Sequence, residues 1–534
     1  MKFPHLSAAI AALLASTAAP AFDPSVSAPD FEVVIAGASA PGTALRSLLI
    51  RDLCDAGPAI DVFVHGGTAR HFNVACVIGG RPVLLRKNEG GSSAGVRGVD
   101  TKSTQPFLNA GAASCNAPVA RSVGGRAFNE YSGCGATAAT LTNLVPDFGL
   151  SDVEPTALTG PLAPTGQSFQ NVSGLTIQNI ASLLFGFVVT TDLYRALQAA
   201  QFAPANACNP DPATGTDVTR PDPANPVARI AGANGIKDAY EAPATDSGIA
   251  QTPTSVSARH TLGDTERCMP ILSRDELRSL LARDITSGNN LWVGPNAGDT
   301  LTARSAGKDY GSASGAINLC RRNAGSGTHA VTAMHFLSTN CGKGEFLVPN
   351  AVCSGATVCP VNSNDSASGM EACLGGHNTA NAWAVGYQSV EKNADLAQPY
   401  RFVKIDGASP TLNNLLSGNY GHFGELTAVR RGNTSDLVNV PNPADHATAN
   451  GIWSTIVTRL TTAANVGTLD ALDFTKQPFG PSGFAARGSP PFPPDPTAPV
   501  NPLTHTRPGT SVQNTCTGPF ASPVGAGTGR GVAH

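Results

Sequence analysis

Between Arg321 and Thr328 the chain reads Arg-Arg-Asn-Ala-Gly-Ser-Gly-Thr, and these residue types at this spacing can grip a small oxyanion without transforming it. A glycine-serine-threonine turn that opens a helix offers unpaired backbone N–H groups and the positive end of the helix dipole. Gly325 and Gly327 let the backbone approach an anion closely, Ser326 and Thr328 add hydroxyl donors, and Arg322 offers a two-pronged guanidinium. The plainer reading is a Gly-Ser turn that only caps a helix. Alternation along a strand points Arg321 away from Arg322, so Arg321 reads as structural or surface.

Two other constellations compete. Gly91-Ser-Ser-Ala-Gly95 matches the G-x-S-x-G nucleophile elbow, with Ser93 as nucleophile. That elbow needs a strand running straight into the serine and a helix immediately after it. Here Asn88-Glu89-Gly90 intervenes and Val96-Arg97-Gly98-Val99 is a poor helix start, so the better reading is a glycine-rich loop at a cleft rim, donating N–H groups. His65 with His71, and His329 with His335, do not fall at spacings that place two ligands on one helical face beside an acidic partner. They read as solvated or capping histidines, and no metal or other cofactor is called for.

The elements that must position the anion loop alternate. Ala316 to Cys320 is an apolar strand leading into the arginines, and Val331, Met334, Phe336 and Leu337 supply the apolar positions of the helix behind them. Phe31 to Ala36 is a β-branched strand ending in a glycine turn, with a helix through Leu45, Leu48, Leu49 and Leu53 after it. Strands are expected at Ile60 to Val64, Phe72 to Ile78 and Arg81 to Lys87. Asp147 to Asp152 reads as a strand running into a loop with an acidic tip. Leu184 to Thr190 is a further strand, followed by a helix through Leu193, Leu197 and Ala200. Ser273 and Glu276 form a capping box, and Ala382 to Tyr387 and Tyr400 to Ile405 are the last strands expected. Strand-helix alternation throughout makes the class α/β. Residues 203–263 read as an irregular insertion, and the Pro/Gly-rich residues 475–534 as a tail.

Met1 to Ala21 has the charged start, short apolar run and Ala-Pro-Ala end of a secretory signal peptide. No later segment has eighteen uninterrupted apolar residues, so no membrane insertion is expected. Twelve cysteines in an exported chain are best read as disulfides. Local pairs such as Cys115–Cys134 and Cys208–Cys268 fit the spacing, while the connectivity as a whole stays open. A net charge of −3, with no basic stripe, argues against a nucleic-acid partner.

Several separated motifs together resemble the periplasmic phosphate-binding proteins of ABC transporters, within the type 2 periplasmic-binding-protein superfamily. Ile35-Ala-Gly-Ala-Ser-Ala40 is similar to the first anion loop of that family, and Asp147-Phe-Gly-Leu-Ser-Asp152 to its D-x-G-x-S-D segment. Met269 to Arg278, continuing to Ile285–Trp292, resembles the helix and G-x-I-x-x-W stretch of the second lobe. Arg322 to Thr328 is similar to the R-x-D-G-S-G-T loop, and Ala384-Val-Gly-Tyr387 with Phe402 to Gly407 to the return crossing. The resemblance implies a two-lobed fold with a ligand cleft: lobe 1 from residues 31–174 and 384–474, lobe 2 from 175–383. It implies a ligand set of Ser39, Ser151, Asp152, Arg322, Ser326, Gly327 and Thr328 around phosphate or a similar tetrahedral oxyanion, and an ABC permease as partner. One position departs from the pattern. Where the family has Asp before Gly-Ser-Gly this chain has Ala324, which removes an acceptor for the phosphate proton and leaves Asp152 to serve.

The expected function is therefore non-catalytic binding of phosphate or a related oxyanion outside the cytoplasm. A secreted phosphatase or esterase on the same scaffold, and an extracellular structural protein that lost its ligand, are the alternatives.

Overall fold

The structure is a computed structural model. It describes residues 22–462 apart from 67–70, 136–139, 211–220, 223–224, 230–261, 283–298, 338–350, 391–397, 412–413, 416–418 and a few scattered positions, together with 484–488 and 505–508. The signal segment, most of the insertion, the Ile285–Trp292 stretch and most of the tail lie outside the described residues.

In chain order the first half contains β1 (Phe31–Gly37), α1 (Gly42–Leu48), β2 (Asp61–His65), β3 (Phe72–Ile78), β4 (Arg81–Lys87) and α2 (Ser92–Thr101). It continues with β5 (Gln105–Leu108), β6 (Val119–Val123), β7 (Arg126–Cys134), β8 (Leu141–Leu144), β9 (Phe148–Ser151) and the long β10 (Leu175–Thr190). Then come α3 (Thr191–Gln201), α4 (Arg274–Ala282), β11 (Ile317–Arg322), α5 (Gly327–Leu337), β12 (Val361–Asn364) and α6 (Ala367–Thr379). Last are β13 (Trp383–Ser389), β14 (Tyr400–Phe402), β15 (Phe423–Arg431) and α7 (His446–Thr461). The class is α/β, as the alternation of the sequence implies.

Strands hydrogen-bond in the order β12-β11-β13-β10-β15-β9-β1-β4-β3-β2-β7-β6. The path is continuous because β10, at 16 residues, serves two ladders. Its first part pairs antiparallel with β15 from Leu175 to Leu184, and its last part with β13 from Phe185 to Val189. Most buried apolar side chains divide accordingly into two large hydrophobic cores, beside two small clusters around Phe63 and Phe107. One core gathers β1 to β4, β9, α1, α2 and α7 with Ile180, Ala181, Leu183 and Phe185; the other gathers Leu184 and Phe187 onward, α3, α4, β11, α6, β13 and Phe423. The chain thus passes between cores across Leu183–Phe187 and again across Phe423–Leu426, while motif order led to expected boundaries at 174/175 and 383/384. β10 is long enough to serve both cores: nine of its first ten residues pair with β15, with a bulge at Ile180.

Of the elements without a counterpart in the sequence reading, β15 and α7 contribute most to the first core. β15 interrupts its apolar residues with Glu425 and Thr427, yet it lies in mid-sheet between β10 and β9 and is almost wholly buried. Both polar side chains have partners. Thr427 donates to the carbonyls of Ser151 (3.3 Å) and Val153 (3.2 Å), and Asn179 Nδ2 donates to Glu425 Oε2 at 3.3 Å. Helix α7 buries Ala449, Ile452, Trp453, Ile456 and Leu460, and Trp453 stacks on Phe148 at 4.6 Å.

Ten of the cysteines are described, and all are paired: Cys54–Cys76, Cys115–Cys134, Cys208–Cys268, Cys320–Cys373 and Cys353–Cys359. The two local pairs compatible with spacing are among them. Cys341 and Cys516 lie outside the described residues. No helix of the described residues is long and apolar enough to cross a membrane.

Candidate functional site

The anion loop sits where a strand end meets a helix start. β11 delivers Arg322 between β12 and β13, and Asn323 to Ser326 turn into α5 with Gly325 at φ 88°, a conformation that suits glycine alone. Ser326 caps α5: its hydroxyl accepts from the His329 N–H at 3.3 Å. Arg322 is 1% exposed. Its Nε donates to the Asn364 carbonyl (3.3 Å) and its Nη2 to the Asp365 carbonyl (2.9 Å), which holds the guanidinium plane while Nη1 keeps no hydrogen-bond partner among the described residues. The Tyr387 hydroxyl accepts from the Arg322 N–H at 3.2 Å and shares a 2.6 Å hydrogen bond with His329 Nδ1. Burial drives His329 down to about 3, helped by Arg321 and Arg322, so this imidazole is neutral.

A second helix start faces the first. Gly91 takes φ 85° and launches α2 at Ser92, so Gly91–Gly95 is a helix N-terminus and not a rim loop; the poor helix signal of Val96 to Val99 is overridden by packing. The Ser93 N–H donates to the Gly325 carbonyl at 2.9 Å, and the Ser92 hydroxyl accepts from the Asp152 N–H at 2.9 Å. A Cβ on Gly327 would lie 2.3 Å from Ser92 Oγ and 2.6 Å from Asp152 Cβ. The two helix starts are therefore pressed together around Asp152. Gly95 has its own reason to be glycine, since a Cβ there would come within 2.4 Å of the Leu150 carbonyl and 2.9 Å of Gly37 Cα. Among the described residues no histidine hydrogen-bonds Ser93, so the nucleophile elbow finds no base.

Asp152 is 2% exposed, and its Oδ1 has no hydrogen-bond partner among the described residues. Burial raises its carboxyl to about 7, against the pull of Arg322 and Lys87 and a hydrogen bond from Thr328. Lys87, fully buried at the end of β4, is the cation the sequence reading missed. Its ammonium donates to the carbonyls of Gly37 (3.3 Å), Ala38 (3.0 Å) and Asn88, and burial lowers it to about 8 while Glu89 and Asp152 oppose the shift. A lysine ending an apolar strand looks like a solvated terminus in sequence; only the turn of β1 folding over it reveals its burial.

The seven candidate ligand residues are all buried, but they divide by role. Arg322, Ser326, Gly327, Thr328 and Asp152 come together at the paired helix starts. Ser39 follows the carbonyls that Lys87 holds, and it lines a neighbouring cavity. Ser151 turns its hydroxyl back to the Val153 carbonyl at 2.7 Å, so its side chain is engaged locally.

The histidines differ from expectation. His71, His329 and His335 are buried and not solvated. His71 is lowered to about 4 by burial, with His65 and Lys87 adding to the effect. Cys320, Cys373 and His377 have ligand atoms clustered closely enough for a metal, but both sulfurs belong to one disulfide.

No family model matches the chain, and no curated protein matches it significantly. Solved structures with a similar course include a phosphate ABC transporter substrate-binding protein from Clostridium perfringens, described as putative and solved with bound phosphate. It is 13% identical with TM-score 0.34, and the match covers 83% of this chain and 99% of that one. An ABC-type phosphate transport receptor from Vibrio cholerae is 12% identical with TM-score 0.30, covering 80% and 97%. Likeness at that level does not bear on what the paired helix starts bind.

Proposed function

We propose that this chain is an exported solute-binding protein that holds a tetrahedral oxyanion, phosphate first, between the starts of α2 and α5 without transforming it. One observation carries the reading. Arg322 keeps Nη1 without a hydrogen-bond partner among the described residues, buried Asp152 keeps an unpartnered Oδ1, and the starts of α2 and α5 meet at Asp152. A buried charge or polar group without a partner is costly, and such costs persist where a ligand supplies the partner. Helix N-termini and a guanidinium stabilise the anion, and Asp152 demands a proton from it. Phosphate carries that proton, while sulfate does not. Handing the anion to a membrane permease belongs to the same reading.

The test is titration calorimetry on protein stripped of bound anion, against phosphate and sulfate. Phosphate binding that exceeds sulfate binding at pH 8 supports the reading. Binding of neither anion favours a structural protein, and turnover of a chromogenic phosphate ester favours a hydrolase.

A further inference from the structure

Beside the paired helix starts lies a cavity of about 300 Å³. At roughly 30 Å³ per water, that is room for about ten water molecules, more than inorganic phosphate needs. Ser39 and Glu89 both line the cavity, and the Glu89 charge acts on Asp152, Arg322 and Lys87. The cavity is lined from both cores: Thr43 comes from α1, and Ser368 from the first turn of α6.

We propose that the ligand is a phosphate monoester of a small polyol, with its phosphoryl group at Arg322 and Asp152 and its organic part in this cavity. The inference rests on the oxyanion reading above and narrows it. The lining suits a polyol chemically. Glu89, Ser39 and Thr43 offer oxygens to hydroxyl donors, while Val64 and Phe72 cover C–H edges. A long alkyl or aromatic group would leave the Glu89 carboxylate against apolar surface, which is costly. A nucleotide is disfavoured too, because Phe72 is the lone aromatic carbocycle among the described lining residues.

The full-length exported protein, stripped of anion, is titrated at about pH 6, where the Asp152 carboxyl is protonated and the ester phosphoryl still holds part of its second proton, with inorganic phosphate, with glycerol 3-phosphate and with glycerol alone. The expected result is ester binding at least as tight as phosphate binding, and none by glycerol. Ser368→Trp and Thr43→Trp each fill the cavity from a half-buried position away from the phosphoryl group. Each should weaken the ester at least tenfold and leave phosphate affinity within about twofold, which also shows that the variant is folded. Should one variant lose phosphate binding as well, the other and the milder Ser368→Leu decide. Wild-type protein that binds phosphate but takes the ester a hundredfold more weakly overturns the inference and leaves the oxyanion reading standing. Equal loss of both ligands in every cavity variant also overturns it. Binding of neither ligand by wild-type protein overturns both.

Discussion

In the proposed site, Asp152 and Arg322 would carry opposite halves of the selectivity. Arg322 supplies charge, and a hydrogen bond to a charged group contributes about 1.5–3 kcal/mol. Arg322→Ala is therefore expected to weaken phosphate binding roughly ten- to a hundredfold by calorimetry. Asp152 acts through its proton. Below about pH 7 its carboxyl is protonated and would donate a hydrogen bond to a fully ionised sulfate; above that it is charged and would repel it. Sulfate affinity should fall as pH rises through 7, and phosphate affinity much less. Asp152→Asn should raise sulfate affinity at pH 8 and flatten that profile, whereas Ala324→Asp should sharpen preference for phosphate. The same carboxyl affects stability without ligand. The folded state holds its proton up to about 7 and the unfolded chain releases it near the ordinary carboxyl value of 3.8. The folded state binds more protons between these values, so stability falls as pH rises from about 4 to 7, and Asp152→Asn should unfold at higher temperature than wild type at pH 8. Arg322 and Asp152 were legible because glycines, hydroxyls and charges cluster in their motifs. Lys87 was not, because nothing local distinguishes a buried lysine from a solvated one.

The same contrast holds for whole elements. Strands β1 to β4 and the capping box at Ser273 follow from local pattern; the structure shows Glu276 Oε2 accepting from the Ser273 N–H at 2.7 Å and Ser273 Oγ accepting from the Glu276 N–H at 3.1 Å. Helix α2 and strand β15 do not, because each forms through tertiary neighbours that override its own propensities. Glycines at the crossing of β1, β9 and α2 let backbones touch, and this is a packing device that mimics a catalytic motif. At the start of α5 there is equally little room. Gly327→Val would drive its side chain against Ser92 and Asp152, so the helix starts would separate. That variant should lose anion binding while keeping its circular dichroism spectrum, since the contact lies between cores and not inside one.

Across the molecule, β10 and α5 tie the two cores into one unit. Ala330, Val331 and Ala333 of α5 pack with the first core, and Phe336 and Leu337 with the second. Sequence order suggested two lobes but not the strand that joins them, because a strand shared by two ladders has no local signature. Within the second core, the buried Cys320–Cys373 bridge fastens the Arg322 strand to α6. Its loss should cost about 2–4 kcal/mol, read as a lowered midpoint in denaturant for the Cys320→Ala/Cys373→Ala double variant. The claim that the helix starts enclose an oxyanion is tested most directly by calorimetry of stripped wild-type protein at pH 8 with phosphate and then sulfate. The account predicts saturable one-to-one phosphate binding, with sulfate at least tenfold weaker; no phosphate binding, or equal affinity for the two anions, would contradict it.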